Sequence, residues 1–525
     1  MTSAERIRPR PAEPDADLSA AHPLKVARSG GTPTTGAGCA AVFPLRGAIQ
    51  HYEWGTTGSE SLLYKFARDA HQYAPTDDHS RTPFAELWLG THPSGPASVL
   101  TSPEAAADDP RPASSLGDAR AVTLGAFIGA QPGVLGVGAA APTPGAELPF
   151  LLKVLSVRTA LSIQVHPDRT AARLLHREFP AVYRDDNHKP EMAIALGPEP
   201  FRAMVGIRPL SEIFELALAT PELTTILDLE HAGGSAVLDR PTSILPPRQD
   251  DAFEAGVSPL KHVAALLAEA SSVGGAAPGD MALRTAAFRV FDCLMRAPEG
   301  VVAVQAATLL ARLQADSSIS ADRMDPSLPV LARANNLALR LSQQYPGDRG
   351  IFCAYLLNEV FLQPGEAIFL EAGLPHAYVS GDCIECMSAS DNVVRAGLTP
   401  KFRDVGTLLS ILDSTPAPGS RFMVQPIPQP SDTGRPGLET LRYPSPAPEF
   451  EVDRLCMTTG SCDAAPVDVP SILLCAAGRG RVAGLECAPG SAFFVPAGAG
   501  VSLVGAGEES LILYRARSNP AADKQ

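Results

Sequence analysis

Gly365-Glu366-Ala367-Ile368-Phe369-Leu370-Glu371-Ala372-Gly373-Leu374-Pro375-His376 has a counterpart further along the chain, Gly490-Ser491-Ala492-Phe493-Phe494-Val495-Pro496-Ala497-Gly498-Ala499-Gly500-Val501. In both, a Pro-Gly turn opens a short apolar run and a second glycine closes it. Runs of this length with β-branched and aromatic residues, bounded by Gly and Pro, read as strands. The two stretches read as copies of one turn-strand-turn unit. Their last position differs: His376 in the first copy, Val501 in the second. A simpler reading is two unrelated hairpins with similar turns.

The spacing Gly-x5-Pro-x-Gly-x2-His resembles the second motif of cupin barrels, except that the first copy has Glu371 where the motif has proline. Short strands surround it on both sides. Ile49 to Gly55, Ala85 to Gly90, Phe150 to Val157, Leu161 to Pro167 and Asn187 to Leu196 read as strands, and Ile351 to Leu357 begins another series. Between Pro209 and Pro346 the period changes. Val330, Ala334, Leu337, Ala338, Leu341 and Tyr345 recur at three and four residues, the spacing of one helix face. Ser211 and Thr220-Pro221-Glu222 offer helix starts. The expected fold is mainly β with an inserted α domain: jelly-roll barrels, one carrying the site and a second, degenerate one.

The expected domains are a disordered tail at 1–40, a first barrel from 41–208 and 346–413, and a helical domain at 209–345. A Pro-rich linker at 414–447, a second barrel at 448–518 and a short tail at 519–525 follow. Stretches 102–118 and 131–147, rich in Ala, Pro, Gly and Asp, read as surface loops, and a Pro-rich loop at 241–249 interrupts the helical region. In the second barrel, Phe493, Val495, Val501 and Leu503 should alternate inward, following the two-residue strand period. No His follows His376, so this barrel is expected to be metal-free and structural.

Composition narrows the function classes. The 525 residues are 45% hydrophobic and 19% charged, enough apolar material for several cores. A net charge of −14 argues against an extended nucleic-acid or anionic-membrane surface. No apolar run reaches the length of a membrane span. Nine cysteines, an odd and sparse count, read as free thiols of a reducing compartment. Cys383 and Cys386 form a lone CxxC, read as two small buried residues of a strand, with a redox or metal pair as the alternative. The N-terminal tail mixes bases with Glu5, Glu13, Asp15 and Asp17, unlike a transit peptide. The chain is therefore expected in the cytoplasm, an organelle signal being the lesser reading.

Chemistry gathers on a few residues. Gln164 and His166 lie two apart on a strand, so both side chains share a face. Glu191 begins another strand, and His376 stands at the metal position of the repeated unit. Two imidazoles, a carboxylate and an amide oxygen suit zinc; iron is the competitor, since two His and a carboxylate also form the oxygenase triad. Lys153, Lys189, Arg395 and Lys401 lie near these strands in sequence. Four bases around one cavity of an acidic protein would make a phosphate site.

These stretches, together with Gln50 to Gly55, Ala85 to Pro93, Asn187 to Met192 and Leu370 to Phe402, resemble type I mannose-6-phosphate isomerases. The resemblance is dense over about 41–210 and 345–410 and looser elsewhere. It implies a zinc-dependent cupin with an inserted helical domain and a second, metal-free barrel. It implies one Zn2+ per chain on Gln164, His166, Glu191 and His376, and an active-site arginine at Arg395. Lys153, Ser162, Lys189, Glu385 and Lys401 fall in motifs lining the substrate pocket. The expected reaction is the interconversion of mannose 6-phosphate and fructose 6-phosphate through an enediol, feeding GDP-mannose and glycan precursors. Lys189 and Glu385 both stay open as the base. The expected partner is a small sugar phosphate, with no nucleic acid and no membrane, and the protein is expected to be a monomer. The alternatives are a non-catalytic sugar-phosphate-binding cupin and an iron cupin oxygenase. The chain departs from the family in its N-terminal tail and its longer Pro/Ala loops.

Overall fold

The computed structural model describes residues 42–70, 79–100, 121–136, 147–229, 258–271, 280–429, 437–458, 460–506, 509–519 and 522. The tails expected at 1–40 and, for the most part, 519–525 lie outside them, as do the loops at 102–118 and 241–249 and most of 131–147. Among the described residues no helix is long and apolar enough to cross a membrane.

Two large antiparallel sheets dominate. The first has the 13-residue strand His376–Ser388 at its centre. One half of this strand pairs with Glu191–Ala195 and Phe150–Val157, the other with Phe201–Ile207, and His376 itself pairs with Gln164 of Ile163–Val165. Phe150–Val157 shows why the sheet forms. All eight of its residues are buried, and their period of two feeds two cores. Phe150, Leu152 and Val154 pack toward the second sheet, whereas Leu151, Leu155 and Val157 join clusters on the other face. Lys153 lies among these latter residues, as the one charged member of the strand.

The second sheet runs in the order Ile427–Pro428, Leu438–Tyr443, Glu451–Met457, Leu511–Arg517, Ser471–Ala477, Ala492–Val495, Phe43–Arg46, Ser98–Leu100, Ala121–Thr123. It is thus not confined to 448–518: Phe43–Arg46 pairs directly with Ala492–Val495. The stretch read as a linker, 414–447, also contributes, since Leu438–Tyr443 is a full partner of Glu451–Met457. Sheet edges leave backbone groups unpaired, and these neighbouring strands satisfy them. Phe493, Val495, Val501 and Leu503 share one apolar core, while Phe494 turns the other way into the core between the sheets.

The repeated unit is visible in the backbone. Gly365 and Gly490 have φ of 85° and 88°, and Gly373 and Gly498 have 78° and 72°. This left-handed region is open to glycine at no steric cost, so both copies make the same pair of turns. At the equivalent final positions, His376 points to the centre described below and Val501 is buried in apolar packing.

Among the described residues, six helices lie between Leu210 and Gln344: Leu210–Leu218, Pro221–Leu227, Pro259–Ser271, Asp280–Arg296, Glu299–Ala315 and Val330–Gln344. Ser211 lies inside the first helix, which starts after Pro209, and Thr220 precedes Pro221 without a side-chain cap. The helices share a core with Ile163, Val165, Met204 and Val394 of the first sheet. Ile351 to Leu357, read as a strand, instead forms helical turns at Arg349–Ile351 and Cys353–Leu356. A short, wholly buried apolar run carries no period that separates strand from helix. Cys383 and Cys386 are both buried and belong to different cores on opposite faces of their strand. That disposition rules out the paired-thiol reading.

Phe494 is fully buried between the sheets and meets the edge of Phe127 at 6.1 Å. Phe494→Ala should cost about 3–5 kcal/mol, read as a lowered thermal midpoint, while the folded variant keeps its metal-site composition.

Candidate metal centre and anion pocket

His166, Glu191 and His376 are brought together from three strands or their ends, and one potential ligand atom of each lies within 4.8 Å of the others. All three are buried. His166 Nε2 is 3.4 Å from Glu191 Oε1, and His376 Nε2 is 3.3 Å from Oε2. The rings are fixed from behind. His166 Nδ1 donates to the Asn392 carbonyl at 2.7 Å, and His376 Nδ1 to that of Leu374 at 2.9 Å. Each bond sets the tautomer and leaves Nε2 with a free lone pair, the arrangement usual behind metal-bound imidazoles. His166 Nε2 and both Glu191 oxygens form no hydrogen bond of acceptable geometry. Buried polar atoms need partners; here Lys189 Nζ stands 2.7 Å from Glu191 Oε1, and the ligand atoms of the three residues face one another within 4.8 Å. The donor set fits a divalent ion.

Gln164 stands beside them, half-buried, with Nε2 3.4 Å from His376 Nε2. A half-turn of the amide brings its oxygen to the same place. Cross-strand pairing puts Gln164 opposite His376 on one side and Arg395 on the other. Directly paired residues project on the same face, so Arg395 flanks the cluster. No ion-pair or hydrogen-bond partner is found for the Arg395 guanidinium among the described residues, and burial lowers its pKa from the ordinary arginine value.

The charges are ordered around Glu191. Burial opposes its ionisation, but Lys189, with Nζ 2.7 Å from Oε1, and the two imidazoles hold its carboxyl well below the usual range. Burial lowers His166 to about 4, which keeps the imidazole neutral. A second row runs Trp88, Lys153, Glu385 and Ala193 across four paired strands. Lys153 Nζ is 3.1 Å from Glu385 and 3.5 Å from Glu86, and lies 4.9 Å over the Trp88 ring. Burial pushes Lys153 down, yet Glu86 and Glu385 outweigh it and the net direction is up. Glu385 moves up through burial, against the pull of Lys153.

The structure thus brings Gln164, His166, Glu191, His376, Lys189 and Arg395 into one neighbourhood, and Lys153 with Glu385 into an adjoining buried pair. Ser162 is half-buried just before the Gln164 strand. Lys401 is exposed on the turn after Val394–Gly397, its N–H bonded to Thr399 Oγ1. Residue reading missed Glu86, although the alternation Glu86/Trp88 already placed both on one face. It also missed Asp185, which lies outside every motif. Asp185 accepts from Ser390 Oγ at 2.8 Å, from the Asp391 N–H at 2.7 Å and from Asn392 Nδ2 at 3.1 Å. Through Asn392 it fixes the carbonyl that orients His166. A groove of about 870 Å³ lies elsewhere, between Arg46, Asp69 and the Arg479–Phe493 region of the second barrel.

Comparison with known proteins agrees with this architecture. Residues 42–210 match the family described as phosphomannose isomerase type I, catalytic domain, and residues 266–357 the one described as phosphomannose isomerase type I, helical insertion domain. A protein of Echinococcus multilocularis named probable mannose-6-phosphate isomerase is 37% identical over 90% of this chain and 99% of its own. Mannose-6-phosphate isomerase of Bos taurus is 36% identical over 90% and 98%. The fold matches a phosphomannose isomerase from Salmonella typhimurium with a TM-score of 0.65 at 24% identity, over 91% of this chain and 100% of that one. A solved structure equally similar in fold is described as mannose 6-phosphate isomerase bound with zinc and yttrium.

Removing one imidazole should empty the cluster. His376→Ala is expected to carry no stoichiometric divalent metal by mass spectrometry while its far-ultraviolet circular dichroism stays that of the parent. Full retention of metal would remove His376 from the ligand set.

Proposed function

The chain belongs to the type I phosphomannose isomerase family, and from that premise we propose that it interconverts mannose 6-phosphate and fructose 6-phosphate. Gln164, His166, Glu191 and His376 would hold one zinc ion. The observation that carries this is the convergence of buried ligand atoms of His166, Glu191 and His376 within 4.8 Å of one another, beside an Arg395 guanidinium with no ion-pair or hydrogen-bond partner among the described residues. Two nitrogens and harder oxygens form a borderline donor set that zinc accepts readily. Bound zinc supplies positive charge to the sugar oxygens on which negative charge develops.

The protein's own groups account for the rest. Isomerisation through an enediol takes a proton from C2 and returns it to C1, so one group must act first as base and then as acid. Glu385 and Lys189 are the two candidates. Glu385 is buried, and its raised pKa brings a carboxylate nearer to the neutral range in which a base works best. Lys189 is tied to Glu191. Arg395 holds an enediolate oxygen or the phosphate through its planar fork. Lys153, Ser162 and Lys401 contribute to holding the substrate. The product would feed GDP-mannose and glycan precursors in the cytoplasm, with the protein acting as a monomer.

A coupled isomerase assay on protein of measured metal content tests the reading. Turnover of mannose 6-phosphate should fall on chelation and return with zinc. A zinc-loaded, folded protein without turnover would overturn it, and iron as the resident metal would replace the zinc assignment. Solvent-deuterium uptake into the product should vanish in whichever of Glu385→Gln and Lys189→Met removes the base, with metal retained.

Arg395→Lys keeps the charge and loses the fork. It should lower kcat by at least about 10²-fold, the low end for a transition-state contact, at unchanged zinc content. Near-parent turnover would contradict the role.

A further inference from the structure

Arg395 sits on an edge. Among the described residues its strand, Val394–Gly397, pairs with Ile163–Val165 alone, and the pairing is irregular between Arg395 and Gly397. A short edge strand with one partner does not by itself hold an arginine in a fixed place. The next residue, Leu398, has φ of 53°, one of two non-glycine residues with positive φ among those described. A branched apolar side chain rarely adopts this conformation, and a residue held there is over-determined by its surroundings.

Asp348 supplies that determination. Its Oδ1 accepts the Leu398 N–H at 2.7 Å and the Gly350 N–H at 2.7 Å, and Oδ2 accepts from the Thr399 N–H at 3.4 Å. The two backbones touch. A Cβ on Gly397 would lie 2.8 Å from Gly350 Cα and 2.9 Å from Asp348 Oδ1, and a Cβ on Gly350 would lie 2.8 Å from Leu398 N. Leu398 is buried at the same point, in the core shared with the helices. Asp348 itself belongs to the segment that leads from Val330–Gln344 back to the sheet. Its neighbour Arg349 donates to the carbonyls of Leu294, Met295 and Ala297 at the end of Asp280–Arg296.

We propose that Asp348 is a positioning residue for the reaction: it clamps the left-handed turn at Leu398 and thereby fixes Arg395 beside the metal cluster. The helical insertion then has a part in catalysis, as the rigid body to which the clamp is anchored. The inference rests on the role assigned to Arg395 above. Misplacement of a catalytic group by about 1 Å can cost about 10²-fold in rate, so a carboxylate that never meets the substrate can matter to turnover.

The test is a double-mutant cycle on full-length, metal-loaded protein, with kcat, KM, zinc content and thermal midpoint measured for each variant. Asp348→Ala should keep its zinc and lose about 10- to 100-fold in kcat. Asp348→Asn, which retains an oxygen at Oδ1 for Leu398 and Gly350, should recover most of that loss. In the Arg395→Lys background, Asp348→Ala should add little, because the fork it positions is already gone. If Asp348→Ala does not fold, Asp348→Glu decides the matter: it keeps the charge but displaces the acceptor by one methylene, and should lower kcat at normal zinc content. Parent kcat in a folded Asp348 variant lacking the Oδ1 acceptor position, or full additivity with Arg395→Lys, would overturn the proposal. A silent Arg395→Lys would instead overturn the reading of Arg395, so the two failures are distinguishable.

Discussion

Glu191 is a buried carboxylate at the meeting point of three positive or polar groups, and the geometry of the centre follows from keeping it ionised. An isolated buried charge costs several kcal/mol or more. Lys189 and the two imidazoles compensate it, and each must come from a different part of the chain. Lys189 precedes Glu191 by two residues, His166 follows a short strand, and His376 opens the longest strand of the sheet. Only a sheet that bends far enough for all three to face one point can satisfy the charge. Gly381, at φ 103° within the His376 strand, stands where the pairing of that strand passes from Phe201–Ile207 to Phe150–Val157 and Glu191–Ala195.

Behind the ligands lies a polar scaffold rather than an apolar one. Asp185 gathers the backbone and side chains of 390–392 toward Asn187, and Asn392 turns its carbonyl to His166. The hydrogen bonds are mutual, so the loop before Glu191 and the loop after Ser388 set each other's position. Farther out, Glu449 joins the second barrel to this region by accepting from Arg169 and from His188 at 2.9 Å. His188 adjoins Lys189, so a barrel whose own interior is apolar touches the segment that carries the metal-side lysine.

Much of this could be read from the residues. The repeated turn-strand-turn unit fixed the β class, and its two glycine pairs adopt nearly identical backbone angles. Gln164 and His166 share a face because strand side chains alternate. The change from a period of two to one of 3.6 marked the inserted helices. The elements misread were those whose pattern is mute. Ile351 to Leu357 is buried throughout and gave no period, and Leu438–Tyr443 was hidden among prolines. Phe43–Arg46 gave no hint that its partner was Ala492–Val495, because pairing between strands so far apart leaves no local trace.

By itself the sequence determined which residue types were available for chemistry, the faces on which they lay, and the architecture that would carry them, since all of these follow from local spacing. It did not determine who would stand beside whom. That Lys153 neutralises Glu385 and Glu86, that Asp185 orients His166 through Asn392, and that Asp348 reaches Leu398 were decided by tertiary structure alone. These contacts join residues tens to hundreds of positions apart, and their energy depends on distances of a few ångströms and on exclusion of water. Neither quantity exists until the sheets and helices have packed.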